Sequence, residues 1–442
     1  MHNQHVSATS GMKKVLAIIV KLPSIIMKRI AAKLRARSSS DQLAIDARPL
    51  LLPSDRIREL EEEWIALREP LAGREWDDDE RQIIERILTE TSEANRNNVT
   101  RTEAYRSIYF RNNELHWALL AHVVSRNGGW NMTDLKGDLL PRLLSEEQRR
   151  DTFELLERAN FFIFQDAYPQ LLLYETGRKI GRSLTHLLPA FGVSRFMMPV
   201  WKQFWRYNNS AVLTTALIVN EQHYIEGRIV QNSHFRKHVL NKVVFNMQIP
   251  LQTNAVIMPY RSQLTGGMKL AGLVLENFSS LVERIEFGKR LYAILFRIEV
   301  VHEGVLHFVR AVPHSGSRAD YAPQLFTKEK PEQKEESYKE RLNECRLIAG
   351  AEALYSPPLR VAWKDQPIEA RLQAQGVLLQ EDIRTTSATV STDWFNDGVE
   401  VCRYMKELPI PRIFEITDEH CLGLNKLELA VLAAQKAGIR PE

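Results

Sequence analysis

Over long stretches of this chain the apolar residues recur three and four positions apart, and strict alternation is scarce. That period is the strongest constraint on the fold, because it gives a helix one stripe to bury and gives a strand no consistent face. Glu59–Arg68 and Asp79–Thr91 read as helices, the second opening in the acidic run Asp77–Glu80 that suits a helix N-terminus. Thr100 with Glu103 makes a capping-box pattern ahead of Tyr105 and Tyr109. A stripe of Leu115, Leu119, Leu120 and Val123 then reaches Arg126, where Asn127-Gly128-Gly129 is expected to stop it. Ser145 with Gln148 is a second capping box, opening a helix towards Pro169. Gln170–Leu188, Ser210–Val230 and Leu264–Phe296 read as further long helices, Ser183–Trp201 as a buried bend, and Leu424–Ala437 as the last helix. The expected fold class is mainly α, with few or no strands. A large multi-helix domain covers residues 45–325, a charged linker 326–346, and a smaller helical C-terminal part 347–442, after a basic arm over 1–40.

The formal charge of +4 is concentrated in that arm. From Met12 to Arg37 there are eight cations and no acid; without them the other basic residues are outnumbered by the 55 acidic ones. Val15, Ile19, Leu22, Ile26 and Ile30 share a helical face between Lys13, Lys14, Lys21, Lys28, Arg29 and Lys33. This is the make-up of a helix lying in a bilayer interface, its cations on anionic headgroups, with Pro23 kinking it. The apolar run Val15–Val20 is too short for a signal peptide and no small-residue cleavage site follows. Lys21 and Lys28 break any membrane span. A plain disordered basic arm would have the same charge. The arm offers no aromatic side chain to stack on bases, so nucleic acid is not an expected partner. Residues up to Gly11 carry no core pattern, and Met12-Lys13-Lys14 reads like a chain start. Cys345, Cys402 and Cys421 cannot build a disulfide framework without a remainder, which favours a reducing compartment. The expected location is cytoplasmic, at the inner face of the plasma membrane.

Chemistry-bearing patterns are few, and none names a cofactor. His302-Glu303-Gly304-Val305-Leu306-His307 resembles a zinc motif, but its second His falls at i+5 and leaves the shared helical face. The surrounding residues suit a hairpin as well as a helix. No P-loop, Gly-x-Gly-x-x-Gly or Gly-x-Ser-x-Gly pattern is present. The densest polar cluster holds His116, His122, Arg126, Asn127, Trp130, Asn131 and Asp134, with His116 off the helical face that His122 and Arg126 share. It reads either as a pocket, with His122 as base and Asp134 orienting it, or as a helix stop, a cap and core histidines. Asn220, Glu221, His223 and Glu226 form a second cluster, which suits a buried polar network better than half of a di-iron site. In the loop Pro313–Tyr321, His314, Ser317, Arg318 and Asp320 suit an anion site or a structured turn closing the domain. The speculative catalytic set is His122, Asp134 and His223. The binding set is Arg126, Asn127, Trp130, Asn131, His314, Ser317, Arg318 and Asp320.

Four segments carry a resemblance: Ser125-Arg126-Asn127-Gly128-Gly129-Trp130-Asn131-Met132-Thr133-Asp134-Leu135, Phe164-Gln165-Asp166-Ala167-Tyr168-Pro169, Asn220-Glu221-Gln222-His223-Tyr224 and Gly316-Ser317-Arg318-Ala319-Asp320-Tyr321. Over roughly residues 50–440 the chain resembles the YppC-like family of uncharacterised proteins from Bacillus-type bacteria, a domain of unknown function. The resemblance implies a bacterial, intracellular protein and no activity, so no catalytic residue is carried over from it. Two functions then compete. One is a non-catalytic helical scaffold or partner-binding module, peripheral at the inner membrane surface, with an unknown protein partner. The other is a hydrolase or transferase acting on a polar or anionic substrate through the His/Asp/Arg/Asn residues above.

Overall fold

The computed structural model describes residues 27, 30–67, 76–232, 236–240, 254–261, 266–330, 337–363, 393–396 and 398–438. Its centre is a set of helices numbered here in chain order. They are α1 (30–43), α2 (Ser54–Ala66), α3 (Asp78–Ala94), α4 (Asn98–Arg111), α5 (His116–Asp134), α6 (Glu146–Ile180), α7 (Met197–Tyr207), α8 (Ser210–Ile225), α9 (Leu281–Arg297) and α10 (Glu299–Ala311). Helix α8 is the hub. Every residue from Ala211 to Asn220 is buried, and it packs against α5, α6, α7 and α9. Helices hydrophobic on all sides belong in such a position.

Local chemistry starts these helices. Asp77 and Glu80 close a capping box on α3, and Ser145 and Gln148 close one on α6. On α4 the box is Asn97 with Thr100, so the Thr100 hydroxyl is spent as the reciprocal partner and the expected Thr100–Glu103 box does not form. Helix α6 runs for 35 residues straight through Pro169 to Gly181, whose φ of 74° ends it. Burial of Phe164, Ala167, Tyr168, Leu171 and Leu172 on either side outweighs the roughly 3 kcal/mol that an interior proline costs. The bend at 185–191 is a 3-10 segment entering α7, with Leu187 and Leu188 buried.

The stretch expected as one helix over Leu264–Phe296 divides. Its first part is β2 (Met268–Val274), antiparallel to β1 (Ala255–Arg261) in a register from Ala255↔Val274 to Arg261↔Met268, and the helix begins only at Leu281, capped by Ser280. Gly272 explains the strand: any Cβ there would collide with the Val256 carbonyl across the ladder. The outer edge of β2 continues into residues 414–416, where Gly272 N donates to Phe414 O at 2.8 Å and Ile416 N to Leu270 O at 2.8 Å. Two shorter pairings follow: β3 (Phe326–Thr327) runs parallel to β6 (Leu354–Tyr355), and β4 (Leu342–Asn343) is antiparallel to β5 (Arg346–Leu347). The chain is mainly α with a few short strands.

Residues 337–342, at the end of the charged stretch, lie against α13 (Thr417–Lys436), since Tyr338 Oη, Arg341 N and Leu342 N all donate to the Glu428 carboxylate. The helices α11 (Leu359–Ala362) and α12 (Gly398–Cys402) are short. Cys345 is bonded to Cys421, tying the β4–β5 hairpin to α13, and Cys402 remains a thiol. The single bridge leaves Cys402 as the remainder that a count of three requires.

Candidate functional site

Helix α5 does not stop at Asn127-Gly128-Gly129; it continues to Asp134, so Trp130, Asn131 and Asp134 are helical residues. The glycines serve close approach. A Cβ on Gly129 would clash with Asn98 Oδ1 of α4 and the His314 ring, so the absence of a side chain lets α4 and the loop 313–321 meet at α5. Asn127 acts as a surrogate strand neighbour: its Nδ2 donates to Ile257 O at 2.8 Å, and Ile257 N donates to its Oδ1 at 2.9 Å. That pair fixes β1 on the helix.

Arg318 grips Asp134 through both Nε and Nη2 (2.8 and 2.6 Å), touches Asn131 Oδ1 at 3.2 Å, and donates to the Tyr321 hydroxyl at 2.7 Å. Burial alone would lower its pKa, but Asp134 and Tyr321 raise it well above the ordinary guanidinium value. The Tyr321 hydroxyl pairs in turn with His420 Nε2 at 3.0 Å. Burial, then the Arg318 charge, hold that imidazole down to about 3, so it is neutral and accepts. Ser317 Oγ donates to Ser356 O, and Arg318 N donates to Ser356 Oγ at 2.8 Å.

About two turns before Asp134 on α5, Arg126 donates to the Val312 carbonyl at 2.8 Å and lies 3.8 Å from Asp320 Oδ2. Asp320 accepts from Ser315 Oγ at 2.6 Å and Lys328 Nζ at 2.8 Å. His314 Nε2 donates to Asn98 Oδ1 at 2.9 Å, and the Asn98 amide donates to Ser125 O at 2.8 Å. His122 Nδ1 donates to Thr102 O at 2.8 Å; burial and the neighbouring Arg126 charge lower its pKa to about 3.

The structure thus brings together, from residues nearly two hundred positions apart, His122, Arg126, Trp130, Asn131 and Asp134 on α5 with His314, Ser317, Arg318 and Asp320 on the loop. His223 is elsewhere. On α8 its Nδ1 donates to Val219 O at 2.9 Å and its ring stacks on Trp394 at 4.1 Å. Beside it Asn220 Nδ2 donates to Asp166 Oδ2 at 2.5 Å and Asn220 Oδ1 accepts from Trp394 Nε1 at 2.9 Å. Burial raises the Asp166 carboxyl to about 7. Asn98, Lys328, Ser356 and His420 complete these networks without having drawn attention in the sequence; each is an ordinary polar residue whose partner lies far along the chain.

His302 and His307 both sit on α10, a helix with no hairpin, and His302 Nδ1 donates to Leu295 O at 3.2 Å. Among the described residues no three His, Cys, Asp or Glu side chains converge as a metal-binding group. A surface groove runs along α10 past Glu303, Leu306, His307, Arg310 and Ala311, apart from the α5 cluster. Of the cations expected at a membrane, Lys13, Lys14, Lys21, Lys28 and Arg29 lie outside the described residues, and Lys33 is exposed on α1. Among the described residues no helix is long and apolar enough to cross a membrane.

A mainly α body whose two polar networks are built from the Arg126–Asp134, Asp166, Asn220–His223 and Gly316–Tyr321 segments defines the class to which this protein belongs. The chain is a member of the family described as "Protein of unknown function (DUF2515)", whose model matches residues 93–378. It is 43% identical over 240 residues to the uncharacterized protein YppC of Bacillus subtilis (strain 168), a match covering 54% of this chain and 73% of that protein. No solved structure matches it. The family region contains both networks except His420 and Trp394, and it leaves out α1 and α13.

Proposed function

We propose that this protein works at a membrane surface, as a scaffold or partner-binding module held on anionic lipid by its N-terminal arm. One observation carries the reading. Helix α1 buries Ala32, Ala36 and Ser40 against the body, while Ile30 (49% exposed) and Leu34 (64%) stand in solvent on the opposite side. The buried side is fixed: Ser40 Oγ accepts from Phe414 N and Glu415 N at 2.9 Å, and Arg35 pairs with Asp418 at 2.8 Å. A helix pinned along one face with Ile and Leu along the other, starting within the segment 12–37 that has eight cations and no acid, matches the interface between acyl chains and anionic headgroups. The hydrolase or transferase alternative draws on the α5 cluster, whose His122, Arg126 and Asp320 side chains are enclosed.

The test is co-sedimentation with vesicles of phosphatidylglycerol and phosphatidylcholine. Wild-type protein is expected to bind the mixed vesicles and to leave them at high salt, as partners held by charge do. The double substitution Ile30→Glu, Leu34→Glu, on exposed positions, is expected to stay folded and lose binding. Sedimentation unchanged by that substitution, or equal on vesicles of phosphatidylcholine alone, would end the proposal.

A further inference from the structure

Four buried polar atoms of the α5–loop cluster have no hydrogen-bond partner among the described residues: His122 Nε2, Arg126 Nε, Trp130 Nε1 and His314 Nδ1. His122, Arg126 and Trp130 are no more than 2% exposed and the His314 side chain 3%. They are neighbours. Residues 122, 126 and 130 follow one another at intervals of four along α5, and the Arg126 guanidinium carbon lies 5.8 Å from the Trp130 ring centre. The Trp130 and His314 rings are 6.5 Å apart. His314 Nδ1 stands 3.9 Å from Asp320 Oδ2, the same oxygen that is 3.8 Å from Arg126 Nη2. Buried polar atoms are almost always partnered, and each one left alone costs about 1–3 kcal/mol. Four along one wall point to a shared occupant.

Charge indicates what kind. Asp320 is already committed, with Oδ1 to Ser315 Oγ and Lys328 Nζ and Oδ2 to Ser315 N at 2.9 Å. On α4, Arg106 is paired with Glu103 at 2.9 Å. Arg126 therefore meets the carbonyls of Val312 and Pro313 and is paired at 3.8 Å with Asp320 Oδ2, a carboxylate it shares with Lys328. A buried charge without its own counter-ion is costly. The imidazoles extend the same logic. Thr102 O can only accept, so His122 Nδ1 carries a proton and Nε2 is free to take a second. The Asn98 amide nitrogen is spent on Ser125, so Asn98 Oδ1 accepts from His314 Nε2 and Nδ1 is likewise free. With protons on both, all four lone atoms become donors.

We propose that His122, Arg126, Trp130 and His314 line an internal site for a small monovalent anion, a halide or a formate-sized carboxylate, taken up together with one or two protons. Arg126 and Lys328 share the single Asp320 carboxylate, and the anion balances the second of these two cations. The charged groups facing the imidazoles are Glu103 and Arg106 on α4, Arg126 on α5, Asp320 on the loop and Lys328 beyond it. Burial and Arg126 hold both imidazoles neutral, and an anion beside them reverses the second influence. Binding is therefore coupled to proton uptake and strengthens as pH falls. Lys328, whose side chain is 44% exposed, marks where the cluster reaches solvent.

The experiment uses the full chain in gluconate, an anion too large for the site, with chloride or formate exchanged in at constant ionic strength. Thermal unfolding and calorimetry at pH 6 and pH 8, in two buffers of different ionisation enthalpy, read out affinity and proton uptake. The expected result is a saturable rise in Tm, uptake of one to two protons per anion, and roughly tenfold tighter binding per pH unit and proton. Trp130→Phe removes one donor and keeps the ring, so it should fold and bind about tenfold more weakly. Arg126→Gln should abolish binding; if it does not fold, His122→Gln replaces it, with the proton uptake reduced. Absence of a saturable shift in the wild type, absence of proton uptake, or an equal shift in Trp130→Phe would overturn the site.

Discussion

Asp166 is a carboxyl whose folded environment favours its neutral form. It is 2% exposed, its Oδ2 accepts from Asn220 and Gln170, and its Oδ1 has no hydrogen-bond partner among the described residues. Burial raises its pKa from 3.8 to about 7. The folded state then holds a proton that the unfolded chain releases near pH 4, so this stabilisation is full below that point and is lost as pH rises through 7. The deficit at alkaline pH approaches ~4 kcal/mol. Asp166→Asn should therefore come closest to wild type in urea at about pH 3.5, gain on it as pH rises from there, and exceed it most at pH 8; identical profiles for the two proteins would refute the assignment. Arg318 has the opposite character, a charge that is paired where it is buried. Arg318→Met strands the Asp134 carboxylate, and the urea midpoint should report a loss of about 3–5 kcal/mol.

Among the elements, α5 departs furthest from what local signals suggest. Alanine normally stabilises a helix interior by about 1 kcal/mol over glycine. At Gly129 the sign is expected to reverse, because the new methyl group meets Asn98 and His314, and thermal unfolding of Gly129→Ala should show a loss of about 1–3 kcal/mol. The same element shows where sequence reading succeeds and stops. The helix start in the acidic run Asp77–Glu80 and the box at Ser145 are legible because a helix start is chemistry within four residues. Asn127-Gly128-Gly129 looked like a stop because those residue types also terminate helices; their use here depends on Ile257, Asn98 and His314, which no local window contains. The strand over Met268–Val274 was hidden for a related reason, since its pairing with β1 and with residues 414–416 is a property of distant chain. Polar candidates on α5 and the loop were visible as residue types. Their partners Lys328, Ser356 and His420 were not, because single polar contacts carry no period.

In the whole molecule, a line of contacts runs from one end of the chain to the polar cluster: α1 through Ser40 to residues 414–415, from there to β2, across to β1, and through Ile257 to Asn127 on α5. The Cys345–Cys421 bond clamps a neighbouring part of this assembly across 76 positions, a loop for which chain entropy sets a limit of about 4–5 kcal/mol. Reduction, and separately Cys345→Ser, should each lower the urea midpoint, and reductant should have no further effect on the variant. The docking site of α1 has a further consequence in time. Ser40 and its partner Phe414 are 374 positions apart, and at a synthesis rate of about 5–20 residues per second the helix waits roughly 20–75 s for its seat to exist. Throughout that interval both faces of α1 are bare, and under the membrane role proposed above the order of manufacture would let the nascent chain meet lipid before its body closes.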